Sequence, residues 1–309
     1  MSPLFSLKKQ RTSNKSDAHY QHVEVPVPTP NKDEVLLKLK ATSLNPLDLR
    51  FQKGVARPFV PHKFPVIPCT DVAGEVVEIG GGLVEYAIAK ESLTVPRPDE
   101  VSAAEGAGLP IAALTAHKAL VEVAGIKLDG SGPRMNILVT AASGGGGHYA
   151  VQLAKLGNTH VTGTCGARNI EFVKSLGADE VHDYKTPEGA SLKSPSGKRY
   201  DAVIHCARGI PWSTFEPNLS DNGNVIDLTP GPSSMCTYVG EGRDVKDYVY
   251  SKHPLSKAQD AWAKSLHVIL FVPLPLEPIC SFISLQISGD SSFNMEWVVS
   301  GAILKRVKN

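Results

Sequence analysis

A run of four glycines between a predicted strand and a predicted helix constrains this chain more than any other stretch. Gly144–Gly147 follows the apolar segment Asn136–Thr140 and precedes His148–Leu156, whose apolar residues recur at helical spacing. Such a run could be a flexible linker. Its flanks instead favour a dinucleotide-binding turn, because the helix is placed to end at Gly157 and a second strand, His160–Cys165, follows at once. In such a turn the backbone approaches a pyrophosphate and the helix N-terminus receives its charge.

The end of the second strand bears on the choice of cofactor. NAD-binding folds usually carry an acidic residue there, about 20 residues past the glycines, to hold a ribose hydroxyl. This chain has Cys165–Asn169 with no acid, and Arg168 offers a planar cation suited to a phosphate beside the small Gly166 and Ala167. The segment therefore predicts NADPH rather than NADH. The alternative is that Arg168 is a solvated residue in the first turn of the next helix.

The strand-helix rhythm continues after this point. Alternation of this kind predicts a Rossmann-type, doubly wound parallel sheet, with ligand outside the carboxyl ends of the strands. Tyr184, Cys206 and Thr229 fall at such ends. The predicted elements are a helix over Ile170–Leu176 and strands over Glu180–Tyr184, Asp201–Cys206 and Val225–Thr229.

The preceding part of the chain, Val23–Pro98, is predicted to be an irregular, proline-rich β domain, with strands over Val35–Leu39, Val72–Ile79 and Leu83–Ala89. Helix is predicted over Val101–Ala124, broken near Pro110. A β domain ahead of an α/β domain predicts two-domain architecture with the substrate in the cleft between them.

Composition excludes several functional classes. The 309 residues carry a net charge of +1, which gives no electrostatic case for a nucleic-acid partner. Five scattered cysteines fit a reducing compartment and argue against a disulfide framework or a Cys-rich metal site. Cys69 and His62 lie close in sequence, but no Gly-His-Glu motif follows, so no metal is predicted. Met1–Lys15 is basic and without acids, which predicts a disordered leader or, alternatively, a transit peptide.

Several separate motifs, in the same order, resemble the zinc-independent quinone oxidoreductases of the medium-chain dehydrogenase/reductase superfamily. The similarity is greatest to the plant chloroplast-envelope quinone oxidoreductase homologues. It runs from about Gln21 to Pro232 and again over Ser251–Ser265. The motifs that carry it are Ser43–Asp48, Pro68–Gly74, Ile137–Gly147, Ser175–Asp179 and Ser251–Leu255.

The resemblance implies an NADPH-dependent enzyme that transfers hydride to a small-molecule quinone or to the double bond of an α,β-unsaturated carbonyl. Such an acceptor needs neither a metal nor an obligate catalytic acid, so no catalytic residue is assigned. The resemblance also implies a chloroplast location, in the envelope or stroma; without it, a cytoplasmic one would be expected. The predicted cofactor-binding residues are Asn45, Thr115, Ser143, Gly144, Gly145, Gly146, Gly147, Arg168, Tyr184, Cys206 and Thr229.

Some of these residues have a plainer interpretation. Asn45 and Asp48 also suit a turn, Thr115 also suits helix packing, and Cys206 also suits a small buried position. The resemblance makes Asn45 a contact to the nicotinamide end of the cofactor and gives the Tyr184 position a role at the adenosine phosphate. Asp71 is expected to be a structural hydrogen-bonding residue.

The chain also departs from the family. Gly146 stands where the family has valine, and segments expected after Gly80 and after Pro232 are absent. The expected organisation is a leader (1–20), a GroES-like catalytic domain (21–118), an NADPH-binding Rossmann domain (119–250) and a return to the catalytic domain with an atypical tail (251–309). Both domains are thus shortened, so an impaired nucleotide-binding remnant or splice variant is the alternative function. Whether the chain forms the family's homodimer is left undecided, because the segment that is absent after Pro232 normally supports that dimer.

Two features of the last 60 residues or so carry alternatives. Tyr248 and Lys252 have the Tyr-x-x-x-Lys spacing of short-chain dehydrogenases, but the run is β-branched and Pro254 follows, which favours coincidence. Leu266–Ile287 is apolar yet broken by prolines, which predicts an extended or exposed tail rather than a spanning helix. Peripheral membrane association is the alternative for that stretch.

Overall fold

The computed structural model describes residues 2–9, 18–25, 27–46, 48, 69, 71–77, 86–229 and 302–305. These form two compact units: the described residues before Ala112 together with 302–305, and the residues from Ala112 onward to 229. Tyr248, Lys252 and the apolar stretch 266–287 lie outside the described residues.

The first unit is built mainly of β-strands. Ser2–Lys9 (β1) pairs antiparallel with Ala18–Val25 (β2), where the composition predicted a disordered leader. A five-stranded sheet consists of β3 (Glu34–Ser43), β4 (Asp71–Val77), β5 (Tyr86–Lys90), β6 (Thr94–Pro96) and β12 (Ala302–Lys305). Its strand order is β5-β3-β4-β12-β6.

This sheet buries one of its faces. Along β5 the residues alternate between half-buried and buried, as expected for a strand packed on one side. A core cluster of Leu37, Val72, Ala87 and Ala89 joins three of its strands. A short helix α1, Ala103–Gly108, follows and begins with a capping box, in which the Ser102 hydroxyl accepts from Glu105 N–H while the Glu105 carboxylate accepts from Ser102 N–H.

The second unit is α/β. Helix α2, Pro110–His117, starts in the first unit and leads into the second, where it continues as a π-helical turn over Lys118–Val123. Five strands follow: β7 (Asn136–Thr140), β8 (His160–Cys165), β9 (Glu180–Asp183), β10 (Tyr200–His205) and β11 (Leu219–Asp227). They form a parallel sheet with the order β11-β10-β7-β8-β9. The helices between them are α3 (Gly145–Leu156), α4 (Ile170–Ser175), α5 (Pro187–Ser191) and α6 (Trp212–Phe215).

The predicted fold class is confirmed. Each strand and helix predicted in the α/β part is present, with shifts of a few residues at the ends; β11 starts earlier, at Leu219. The largest shift has a physical reason, because Ser220–Asn222 carry polar side chains that are not typical of a strand, and residues 220–223 lie in an irregularity of the β10–β11 pairing between Leu219 and Asn224. Helix α3 ends at Gly157, as predicted.

The strand order places a switch point at β7. From β7 the chain proceeds to β8 and β9 on one side, and then returns to the other side of β7 with β10 and β11. In open parallel sheets a ligand binds at the carboxyl ends of the strands where the order reverses. The loops after β7 and β10 therefore frame the candidate site.

Candidate functional site

The glycine-rich turn leaves β7 sharply and enters α3 without a side-chain cap. Ala141 adopts a left-handed backbone conformation with φ 47°, and Gly144 forms the N-cap of α3 with no side-chain hydrogen bond. The first amides of a helix have no intrahelical acceptor and carry partial positive charge. The turn therefore presents backbone donors to an anion at the switch point of the sheet.

Two neighbouring glycines in this turn differ in how much space surrounds them. A Cβ at Gly147 would clash with the carbonyl oxygen of Ala141, so only glycine lets helix and strand approach this closely. A Cβ at Gly146 would meet only Cys206 Sγ, at 3.9 Å. Gly147 is thus required by packing, whereas Gly146, which replaces the family's valine, is not.

The turn is tied to the loop after the next strand. Asn169 Nδ2 donates to Ser143 Oγ over 3.0 Å, and Ala142 N–H donates to the Thr164 carbonyl over 2.8 Å. Gly163, on β8, packs beside Ala142 and Val173 so closely that a Cβ there would lie 3.1 and 2.9 Å from them. These contacts fix the glycine-rich turn relative to the end of β8.

The end of β8 meets the end of β9 beside Arg168. Gly166 lies next to the ring of Tyr184, since a Cβ at Gly166 would be 3.6 Å from Tyr184 Cε1. Arg168 is exposed in the 3₁₀ turn that follows, and Tyr184 is 53% exposed. Lys185 Nζ lies 5.9 Å from the Tyr184 ring centroid. This corner thus offers a small residue beside an aromatic ring, and the ring and the two cationic side chains are exposed to solvent.

The end of β10 is organised by Thr140. Its Oγ1 accepts the backbone N–H of Cys206 over 2.9 Å and that of Ala207 over 3.2 Å, and it lies 2.9 Å from His205 Nδ1. With both lone pairs used, the hydroxyl donates its proton to Nδ1, which makes His205 the neutral tautomer protonated on Nε2. Burial lowers the pKa of His205, consistent with this assignment.

Thr229 closes the same edge of the sheet from β11. Its hydroxyl donates to the Ala207 carbonyl over 2.6 Å, and its N–H donates to Asp227 Oδ1 over 2.7 Å. Cys206 and Thr229, both predicted at strand ends, are thus joined through Ala207 and hold the loop after β10 in place.

A buried histidine starts the body of helix α3. His148 is 4% exposed, and its Nδ1 lies 2.9 Å from the Gly144 carbonyl oxygen, to which it donates. Burial lowers the pKa of His148 to about 4, so the ring is neutral at physiological pH. The helix N-terminus therefore gains no extra charge from this side chain.

A second polar cluster lies in the first unit, around Asn45. Asn45 N–H donates to Asp48 Oδ2 over 2.7 Å, and its Nδ2 donates to Asp71 Oδ2 over 3.1 Å. Cys69 N–H donates to Asp48 Oδ1 over 3.2 Å, and Ile111 N–H donates to Asp71 Oδ2 over 3.0 Å. The cluster therefore holds two buried carboxyl groups that are anchored by backbone donors.

Burial governs the ionisation of this cluster. It raises the pKa of Asp48 to about 7 and the pKa of Asp71 well above its usual value, the latter with a further contribution from the Asp48 charge. Burial also raises the pKa of the Cys69 thiol, which makes it a poor nucleophile. The two hydrogen bonds that Asp71 accepts agree with its expected role as a structural residue.

The described residues bring together most, but not all, of the predicted site. Ser143, Gly144–Gly147, Arg168, Tyr184, Cys206 and Thr229 all follow the carboxyl ends of parallel strands. Thr115 lies within α2 and is 6% exposed. Asn45 belongs to the cluster of the first unit.

Three residues of this edge were missed from the sequence: Thr140, Asn169 and Lys185. Thr140 and Asn169 make contacts that depend on which strand ends lie side by side, which no local pattern reveals. Lys185 had the clearest signal, since it directly follows Tyr184 in sequence.

Neither a metal cluster nor a membrane span is present in the part of the chain that the structure describes. No three histidine, cysteine or acidic side chains there are grouped so as to hold a metal ion. Within the same ranges, no helix has the length and apolar character needed to cross a bilayer.

Comparisons with known proteins give a consistent picture. A family model described as the alcohol dehydrogenase GroES-like domain matches residues 31–99. The chain is 60% identical to a chloroplast envelope quinone oxidoreductase homologue of Arabidopsis thaliana, over 81% of this chain and 91% of that protein. It is 58% identical to a chloroplastic quinone-oxidoreductase homologue of Spinacia oleracea, over 79% of this chain and 89% of that one.

More distant proteins are similar as well. An NADPH-dependent alkenal/one oxidoreductase of Arabidopsis thaliana is 30% identical over 66% of this chain and 57% of its own length. Among solved structures, a quinone oxidoreductase of Thermus thermophilus superposes with a TM-score of 0.62 at 24% identity, covering 85% of each chain. This last likeness supports the two-part fold.

Proposed function

Since the chain belongs to the quinone oxidoreductase homologues of the medium-chain dehydrogenase/reductase superfamily, we propose that it is an NADPH-dependent oxidoreductase. It transfers hydride to a quinone or to the double bond of an α,β-unsaturated carbonyl. One observation carries the proposal: the uncapped N-terminus of α3 includes a packing-required glycine at the switch point of a parallel sheet. That arrangement suits the pyrophosphate of a dinucleotide.

The preference for NADPH over NADH rests on the corner after β8 and β9. Cys165 ends β8 where a carboxylate would hold the ribose of NADH. Arg168 and Lys185 are exposed cations on the two loops, and the Tyr184 ring lies beside Gly166. A 2′-phosphate bound there gains charge-assisted hydrogen bonds that NADH cannot make. The name of the alkenal/one relative supports the same cofactor.

The protein's part in the reaction is binding and orientation. When bound, the nicotinamide ring supplies the hydride, and the protein sets its position and electrostatic surroundings. The turn over Ser143–Gly147 holds the pyrophosphate, Thr140 fixes the loop after β10, and Asn45 contacts the nicotinamide end. An electron-poor quinone or enone accepts hydride without a metal. Water can supply the proton that the resulting quinol or enolate oxygen takes up, so no residue is assigned as an acid.

The proposal extends to the remaining cofactor-binding residues and to the location of the protein in the cell. Thr115, Cys206 and Thr229 remain proposed cofactor contacts alongside the turn. A chloroplast location is proposed from the names of the two relatives that are more than half identical.

Turnover tests the proposal against the impaired-remnant alternative. Oxidation of NADPH would be followed at its nicotinamide absorbance with a p-quinone, a 2-alkenal and a cyclic enone, with NADH and an acceptor-free sample as controls. We expect acceptor-dependent oxidation of NADPH with at least one class. NADPH binding without turnover on any acceptor would favour the remnant, and absence of NADPH binding would reject both functions.

A further inference from the structure

Two buried carboxyl groups hold Asn45 from opposite ends. Asp48 Oδ2 accepts from the backbone N–H of Asn45 over 2.7 Å, and Asp71 Oδ2 accepts from its side-chain Nδ2 over 3.1 Å. Asp71 is itself fixed, since the same Oδ2 accepts from Ile111 N–H over 3.0 Å. Asn45, Asp48 and Asp71 are 2%, 3% and 0% exposed. Neither the backbone nor the amide of Asn45 is free to rotate.

The contact to Asp71 determines which way the Asn45 amide points. A carboxylate oxygen only accepts hydrogen bonds, so the amino group of the amide must face it and the amide oxygen must face elsewhere. Burial raises the pKa of Asp71. A proton on Oδ1 would still leave Oδ2 an acceptor, so the orientation holds in both protonation states.

The amide oxygen of Asn45 is unpaired among the described residues. Asn45 Oδ1 is buried and accepts no hydrogen bond from any residue that the structure describes. An acceptor that is buried without a hydrogen bond is unfavourable, because it has lost its contacts with water and gained none in return. Such an atom, held in a fixed direction by a neighbouring carboxyl group, is arranged to accept a donor that arrives with a ligand.

We propose that Asp71 is a positioning residue, which holds the Asn45 amide so that its Oδ1 accepts a hydrogen bond from the carboxamide N–H of the nicotinamide ring. This rests on the proposed function and deepens it. The carboxamide of NADPH is an N–H donor at the reacting end of the cofactor, and the other substituents of the ring offer no such donor. Asp71 thereby contributes to cofactor recognition without contacting the cofactor.

The experiment compares NADPH with its 3-acetylpyridine analogue, in which an acetyl group replaces the carboxamide and the N–H donor is lost. Dissociation constants would be measured by fluorescence titration on the whole chain. We expect the wild type to bind NADPH roughly threefold to tenfold more tightly than the analogue, the effect of one hydrogen bond. Asn45→Ala and Asp71→Ala should each bring this ratio close to one, while Asp71→Asn, which retains an acceptor oxygen, should keep most of it.

Two further variants separate positioning from general structural damage. Adding Asp71→Ala to Asn45→Ala should change the ratio no further, because Asp71 acts through Asn45. Asp71→Leu replaces the alanine variant if that variant does not fold, because it fills the same space without an acceptor. A ratio unchanged from wild type in folded Asp71→Ala or Asp71→Leu, or in Asn45→Ala, overturns the inference and leaves the proposed function standing. A wild type that binds no NADPH overturns both.

Discussion

Thr140 Oγ1 and His205 Nδ1 lie 2.9 Å apart across neighbouring strands β7 and β10, both buried at the carboxyl edge of the parallel sheet. The contact fixes the His205 tautomer because Thr140 already accepts two backbone N–H groups. One threonine therefore joins the strand that leads into the glycine-rich turn to the loop on the other side of the switch point. The shape of the candidate site depends on this side chain although no ligand contact is assigned to it.

Replacing Thr140 by valine should destabilise the chain and loosen the loop after β10. The substitution keeps the shape but leaves the N–H groups of Cys206 and Ala207 without their acceptor, which costs about 1–3 kcal/mol. Chemical denaturation followed by circular dichroism measures the change. Thr94→Val is the control, since the Thr94 hydroxyl donates a single exposed bond to the Lys90 carbonyl. Similar losses in both variants would contradict the special position of Thr140.

Adjacent glycines of the turn should respond oppositely to alanine. Gly146→Ala meets only the Cys206 sulphur and should stabilise α3 by up to about 1 kcal/mol, because alanine loses less backbone entropy than glycine in a helix. Gly147→Ala would clash with the Ala141 carbonyl and should weaken both folding and NADPH affinity. Thermal melts and cofactor titrations of the two variants provide the measurement. Equal changes in melting temperature and NADPH affinity in the two variants would mean that the close approach of α3 to the turn is not maintained.

Arg168→Ala should weaken NADPH binding and leave NADH binding nearly unchanged. Loss of a charge-assisted contact to the 2′-phosphate corresponds to roughly 1.5–3 kcal/mol. Lys185→Ala should act in the same direction with a smaller effect, since a lysine makes no bidentate contact. Arg199→Ala is the control, because Arg199 precedes β10 at the opposite edge of the sheet and donates to the Leu219 carbonyl. A matching loss for NADH would reject the phosphate assignment.

The stability of the α/β unit should fall at mildly acidic pH because of His148. In the unfolded chain this imidazole has a pKa near 6.5, whereas burial lowers it to about 4 in the fold. Below pH 6.5 the unfolded state therefore binds a proton that the folded state does not, so the contribution of His148 is full above pH 6.5 and falls progressively toward pH 4. His148→Gln, which does not titrate, should show a flatter dependence of the unfolding free energy between these values. If the unfolding free energies of the wild type and His148→Gln fell in parallel between pH 6.5 and pH 4, the prediction would be wrong.

How far the sequence could predict this molecule depends on the range of the contacts involved. The strands and helices from Asn136 onward have local signals: apolar runs, helical periodicity, and a glycine at the end of α3. The glycine-rich turn was predictable for the same reason. Thr140, Asn169 and Asp71 act across neighbouring strands or distant segments, and their partners follow from strand register, which no single segment encodes.

Strand β12 is a second feature that the sequence could not predict, because it depends on contacts with segments distant in the chain. Ala302–Lys305 has only four residues, which is too few to show the alternation that marks a strand in a sequence. Its place comes from pairing on both sides, with β4 and with β6. Resemblance to the family offered no expectation for it, because the tail after Leu266 matches no family motif.

A proline at Ile303 should disrupt the first unit. Ile303 is paired with Ala73 on one side and with Val95 on the other, so β12 is an inner strand of the sheet. Proline removes an N–H from an inner strand, where it is essentially not found, and the strands on both sides lose order with it. We expect a loss of about 3 kcal/mol or more in the unfolding free energy. Ile303→Val, which keeps every backbone donor, should cost much less than the proline. If both variants melted like the wild type, the tail would not contribute to this sheet. The shortened β domain would then have to be stable without it.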